Sequence, residues 1–186
     1  MRRISQRAFA LAAFGGLVLA FTFAGAANAI TDTSFRYSAP KTGYLTITAA
    51  AFTPGLLASA YINNGAVLSP STTNLTCWFA PVNLPHGATM SQLALWYISE
   101  SPDLVIIQLI RRTLANGAEG QIVSESAPAS GGLYRRASYP ITGAMQTVDN
   151  ARHGYYIRMC LEYDGTGNNP QYHGARITYT YTSAGD

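Results

Sequence analysis

The chain has 186 residues, of which 48% are hydrophobic and 11% charged, and its formal net charge is +3. Arg2, Arg3 and Arg7 lie in the first 29 residues, which contain no acid, so the rest of the chain carries nine basic and nine acidic groups. This balance excludes the clustered positive charge that non-specific binding to nucleic acid or to anionic membranes requires.

The N-terminal segment has the pattern of a secretory signal peptide. Its arginines precede an uncharged apolar run at residues 8–23, and small residues follow up to Ala27-Asn28-Ala29. This order predicts a helix-forming leader that is cleaved after Ala29. The alternative is an uncleaved anchor, since the uncharged stretch is long enough to span a bilayer. We expect residues 1–29 to be the signal peptide and residues 30–186 to be one secreted or periplasmic domain, with no stable membrane insertion after cleavage.

Alternating apolar and polar residues predict strands along most of the remaining chain. They are expected at residues 44–48, 59–62, 75–79, 93–98, 103–113, 121–124, 144–148, 155–163 and 176–182. Asn116-Gly117 predicts a hairpin between two of them, because Asn-Gly supplies the positive φ angles of a tight turn. The predicted fold is all-β, an antiparallel β-sandwich of jelly-roll-like form with about eight to ten short strands.

The chain has two cysteines, Cys77 and Cys160. An oxidising compartment would permit one disulfide between them, across a separation of 83 residues. The alternatives are two buried free thiols or half of a metal site. No CxxC motif is present, and no histidine is close to either cysteine in the sequence, so we predict the disulfide.

Each of the three histidines, His86, His153 and His173, is followed by glycine. Three histidines could form a zinc site, but their wide separation has none of the short spacings of metal ligands. Histidines in glycine-containing turns are the simpler interpretation. We therefore expect no metal ion and no cofactor.

The evidence for catalysis in the sequence is weak. The G-x-S-x-G turn that presents a nucleophilic serine is absent. Asp149 precedes His153 by four residues and could orient it, but the surrounding residues are typical of a turn between strands. We assign no catalytic residue, and keep as an alternative a secreted hydrolase with a site assembled around Asp149 and His153 or around His86.

Aromatic residues are the feature that could support binding, because flat rings stack on sugars and fill interface pockets. The chain has 12 tyrosines and 2 tryptophans. Tyrosine is also a good strand former, and both Trp78 and Trp96 are expected in the core. Four tyrosines near turns are expected to be exposed: Tyr134, Tyr139, Tyr155 and Tyr172. The pairs Arg111-Arg112 and Arg135-Arg136 are interpreted as solvated surface.

Several stretches are shared with a recognisable type of protein. They include CWFAPVNLPHGAT at residues 77–89, with its A-P-V-x-L-P-H-G-A-T pattern, and GARITYTY at residues 174–181. In these stretches the chain resembles uncharacterised secreted bacterial proteins of similar size that consist of one domain. The resemblance implies a single secreted domain and carries no activity, substrate or site residue.

The sequence thus predicts a secreted, non-catalytic β-sandwich that binds an extracellular or envelope component, either a glycan or a protein, and does not bind nucleic acid. Besides the hydrolase, a second alternative is a structural protein that self-associates through its sheet edges.

Overall fold

The structure, a computed structural model, describes residues 36–55, 60–100, 105–165 and 167–183. These residues form eleven strands in two antiparallel sheets and one 3-10 turn at Ala49–Ala51. The predicted antiparallel β-sandwich is confirmed, whereas the predicted leader at residues 1–29 lies outside the described residues. The strands are β1 (Arg36–Thr48), β2 (Thr53–Pro54), β3 (Tyr61–Asn63), β4 (Leu68–Pro70), β5 (Thr76–Pro81), β6 (Thr89–Ile98), β7 (Val105–Thr113), β8 (Glu119–Ser126), β9 (Arg135–Pro140), β10 (His153–Leu161) and β11 (Gln171–Ser183).

The first sheet has six strands and is organised around β11. Its order is β3-β4-β11-β6-β9, with β1 also pairing β11. On one side β11 pairs with β6 along most of its length. On the other side it pairs with β4 at Tyr172 and with β1 from Gly174 onward.

The second sheet has five strands in the order β2-β5-β10-β7-β8. Between β7 and β8, Gly117 has a φ of 71° and the Thr113 N–H donates to the Ala118 carbonyl, which confirms the predicted hairpin. Cys77 of β5 lies opposite Cys160 of β10, and the two form a disulfide. The predicted disulfide is therefore confirmed, and it joins neighbouring strands of this sheet.

The core lies between the two sheets. Its largest fully buried side chains include Trp78, Tyr97 and Tyr172. The hydroxyl of Tyr97 donates to the Pro128 carbonyl and that of Tyr172 to the Ile47 carbonyl, each at 2.6 Å. Both buried phenols therefore have a partner, which removes the cost of burying a polar group alone. Burial raises the pKa of Tyr172, so its phenol stays protonated and donates.

A β-bulge at His173 decides which residues of β11 face the core. Tyr172 pairs with Tyr97 and Gly174 pairs with Trp96, so His173 is an extra residue on β11. Because a bulge shifts the alternation by one residue, Tyr172 faces the core although Gly174 faces away from it. The prediction that Tyr172 is exposed was wrong for this reason.

Two further predictions were wrong. Tyr155 is only 7% exposed, because it lies on an inward position of β10 and its hydroxyl accepts a hydrogen bond from the Asp149 N–H. Residues 144–148 form a turn and an isolated bridge between Thr147 and Thr89 instead of a strand. The remaining predicted strands are present, with shifted ends.

Replacing both Cys77 and Cys160 by alanine is expected to lower the free energy of unfolding. The disulfide closes a separation of 83 residues, and loop-closure entropy gives it at most about 4–5 kcal/mol. Urea unfolding of the oxidised protein and of the double variant measures the difference. A reductant should destabilise the wild-type protein and leave the stability of the double variant unchanged. Equal stability of both proteins, with and without reductant, would contradict the prediction.

Candidate functional site

The outer face of the six-stranded sheet, meaning the side turned away from the other sheet, carries the candidate site. Across it, Thr48, Gly174, Trp96 and Arg136 lie side by side on β1, β11, β6 and β9. These positions face outward because their strand neighbours, such as Ile47 on β1, fill the core. Trp96 is therefore half-buried on the surface, and the prediction that it lies in the core was wrong, whereas Trp78 is fully buried as predicted.

A second outward row lies two residues further along each strand. It consists of Thr46, Arg176, Ala94 and Ser138 on the same four strands. Gly174 has no side chain and Ala94 has a short one, so the centre of this face is lower than its surroundings. The depression measures about 290 Å³ and is lined by Thr46, Thr48, Trp96, Tyr134, His173, Gly174 and Arg176.

Aromatic rings and guanidinium groups alternate across the face. The Arg176 guanidinium carbon lies 5.0 Å from the ring centroid of Tyr44 and 5.4 Å from that of Trp96. The guanidinium carbon of Arg136 lies 5.4 Å from the Trp96 ring. Contacts of this kind are worth about 0.5–1 kcal/mol each at exposed sites. They hold both arginines over the sheet.

Tyr134 and His173 border the depression on the side of the bulge. The two rings meet edge to face, with their centroids 5.0 Å apart. Tyr134 is 60% exposed, as predicted, and its ring is accessible. Desolvation lowers the pKa of His173, which keeps the imidazole neutral near pH 7. Its Nε2, like the Nε of Arg176, is buried without a hydrogen-bond partner among the described residues.

The residues considered for catalysis lie elsewhere, at a loop end of the sandwich. The Asp149 carboxylate is bonded by the Arg152 guanidinium and lies 4.0 Å from His86 Nδ1. That nitrogen accepts a hydrogen bond from the Asn150 N–H at 3.2 Å. Arg152 holds the pKa of Asp149 below its ordinary value. The carboxylate is thus held by Arg152, and the Nδ1 of His153 is buried without a partner in the described part of the chain.

A larger cavity of about 660 Å³ lies beside these residues. Its lining comprises Val82, Asn83, Leu84, Pro85, Asn150, His153, Gly154, Tyr155 and Tyr179. None of these lining residues is a serine, threonine or cysteine that could act as a nucleophile. Its tyrosines already serve the fold, since the Tyr155 hydroxyl bonds the Asp149 N–H and the Tyr179 ring packs on Gly43. Despite its size, this cavity presents fewer accessible rings and charges than the outer face.

In residues 36–55, 60–100, 105–165 and 167–183, no three metal-ligating side chains lie together. His173 lies on the outer face, His86 beside Asp149, and His153 at the start of β10. Within the same described ranges, no helix has the length and apolar character that crossing a membrane requires.

No family model and no curated protein matches the chain. Among solved structures, it is similar to the C-terminal CBM6 of LamC from Zobellia galactanivorans, with 11% identity, a TM-score of 0.47, and coverage of 73% of this chain and 99% of that one. It is similar to the carbohydrate-binding module CBM6cm-2 of Cellvibrio mixtus lichenase 5A, with 13% identity, a TM-score of 0.42, and coverage of 72% and 95%. It is also similar to CBM29_1 of Piromyces equi, with 14% identity, a TM-score of 0.44, and coverage of 75% of this chain and 90% of that one. At these values the similarities do not bear on what this chain binds.

Acidification is expected to destabilise the protein through His173. Its pKa is lower in the folded protein than the value of about 6.5 in the unfolded chain. Between these two pKa values the unfolded state therefore binds more protons than the folded state. The free energy of unfolding then falls as the pH drops below about 6.5. The loss between about pH 7 and about pH 5 should be smaller in His173→Gln than in the wild-type protein. Urea unfolding at both pH values measures it, and equal losses in the two proteins would contradict the assignment.

Proposed function

We propose that the protein is exported and binds a polysaccharide on the outer face of its six-stranded sheet, without catalysing a reaction. One observation carries the proposal: an exposed ring, Tyr134, borders a depression that also presents threonine hydroxyls and a guanidinium group. A sugar has apolar C–H faces, which pack on aromatic rings, and hydroxyl groups, which need hydrogen-bond partners. The face offers both kinds of contact side by side.

Tyr134 and Trp96 have different roles in this proposal. Two guanidinium groups already lie against the indole of Trp96, so its main role is to position Arg136 and Arg176. The ring of Tyr134 is 60% exposed and is the surface on which a sugar can stack. Thr46 and Thr48 provide hydroxyl donors and acceptors along the exposed side of β1.

The shape of the depression favours one or a few units of a chain. Its volume of about 290 Å³ is just below the range of about 300–1,000 Å³ for small-molecule sites. It lies on a sheet surface rather than in an enclosed cavity, so a polymer could pass across it.

One feature of the sequence and one of the structure support export. They are the leader pattern at residues 1–29 and the Cys77–Cys160 disulfide, since disulfides persist in oxidising compartments. The resemblance to secreted bacterial proteins and the self-association through sheet edges stay predictions. No observation on Asp149, His153 or His86 favours the hydrolase, and we do not propose it.

Replacing Tyr134 by alanine is expected to weaken polysaccharide binding by about 10- to 30-fold, because it removes the accessible ring. The matched control is Tyr156→Ala, which removes a tyrosine ring from β10 in the other sheet. A glycan array with the wild-type protein identifies a ligand, and calorimetric titration compares the variants. Equal affinity of Tyr134→Ala and wild type would contradict the proposed site.

Adding a methyl group at Gly174 is expected to weaken binding without destabilising the fold. A Cβ at this position would meet only the Ile47 carbonyl oxygen within 4 Å, at an ordinary distance of 3.6 Å, and it would occupy the floor of the depression. We expect Gly174→Ala to lower affinity about tenfold, the usual scale of overpacking, with an unchanged melting temperature. A normal affinity with the same melting temperature would exclude the depression as the site.

A further inference from the structure

The outer face carries two arginines, Arg136 and Arg176, that form no ion pair with the described residues. Arg136 donates a hydrogen bond to the neutral side chain of Gln92. Arg176 contacts the rings of Tyr44 and Trp96. In the part of the chain that the structure describes, neither guanidinium forms an ion pair, whereas Arg152 pairs with Asp149.

Two of the described carboxylates bond groups that do not line the depression. Glu119 accepts a hydrogen bond from the Tyr156 hydroxyl, and Glu100 accepts one from the Asn168 side chain. His173, which borders the depression, is kept neutral near pH 7 by burial. The positive charge of the face therefore comes from the two arginines.

Both arginines lie close to aromatic rings, which restricts their side chains. A guanidinium that lies against a ring directs its N–H groups sideways, in the plane that binds a carboxylate through two hydrogen bonds. The Nε of Arg176 is buried, and the side chain as a whole is partly exposed. Arg176 lines the depression, and because its Nε is buried, its terminal nitrogens are the donors left for a ligand. Little side-chain entropy is left to lose when such an arginine binds.

We propose that the ligand of this face is an acidic polysaccharide whose uronic acid carboxylates bind Arg176 and Arg136. This inference rests on the proposed function and adds the chemical class of the ligand. A carboxylate matches the planar guanidinium fork, and the sugar ring that bears it provides the C–H face for Tyr134 and the hydroxyls for Thr46 and Thr48. A nucleic acid would instead need many cations along its path, whereas residues 30–186 have no net positive charge.

The test compares matched charged and neutral polymers. Protein expressed from the full 186-residue chain is run by affinity electrophoresis in gels containing polygalacturonate or alginate, and in gels containing the methyl esters of the same polymers. We expect at least about tenfold tighter binding to an acidic polymer than to its ester, and a loss of that preference as salt rises, because the added ions screen the charges.

Variants assign the preference to the two arginines. The double variant R136Q/R176Q should lose the preference for the acidic polymer, so that it binds the acidic polymer and its ester with equal affinity. Arg112→Gln, an exposed arginine on β7 in the other sheet, is the charge-matched control and should behave as wild type. Arg176→Lys keeps the charge but loses the planar fork, so it should bind the acidic polymer more weakly than wild type. Melting temperatures identify any variant that fails to fold.

The outcomes separate the two proposals. Equal binding to acid and ester, with Tyr134→Ala impaired, would overturn the uronic acid inference and leave the proposed function intact. Absence of binding to every polysaccharide on the array and in the gels would overturn both. Binding of dextran sulfate or of duplex DNA as tightly as polygalacturonate would also overturn the inference, because the face would then select negative charge alone.

Discussion

The register of β11 is the constraint on which both the core and the candidate site depend. This strand lies between β6 on one side and β1 and β4 on the other. Its inward residues, Ala175 and Ile177, are fully buried, while Gly174 and Arg176 face outward. Because side chains alternate along a strand, a shift by one residue would bury Arg176 and expose Ile177. The burial of apolar side chains in the core therefore also determines which residues of β11 lie on the outer face.

Local contacts hold this register at both ends of the paired region. Near the start of β11, the Tyr172 hydroxyl bonds the Ile47 carbonyl of β1. Further along, Tyr179 pairs with Gly43, where a Cβ would lie 2.4 Å from the tyrosine ring, so only glycine fits beneath it. The bulge at His173 then reconciles an inward Tyr172 with an outward Gly174, and the extra residue itself borders the depression.

Local sequence pattern predicted the sheet-forming segments well and the site poorly, for a physical reason. The alternation of residues 176–182 correctly predicted that the side chains of Arg176 and Ile177 point to opposite faces of the sheet. Tyr172 was predicted to be exposed because it is near a turn, and the bulge at His173, which turns it toward the core, has no signature in a single sequence. Trp96 lies in a strand with apolar residues on both faces, which hides the fact that one of these faces is the surface. Arg136 and Arg176 are 40 residues apart in the chain, and the strand order β11-β6-β9 alone brings them to the same ring.

In the proposed function the ligand binds on a sheet surface, and the larger loop cavity, with His153 and Tyr155, has a structural role only. Backbone amide chemical shifts, followed while a uronic acid oligosaccharide is titrated into the protein, test this placement most directly. The largest shift changes are expected at Gly174, Arg176 and Tyr134, together with the Trp96 indole N–H. Changes concentrated at residues 82–85 and 150–155 instead would contradict it.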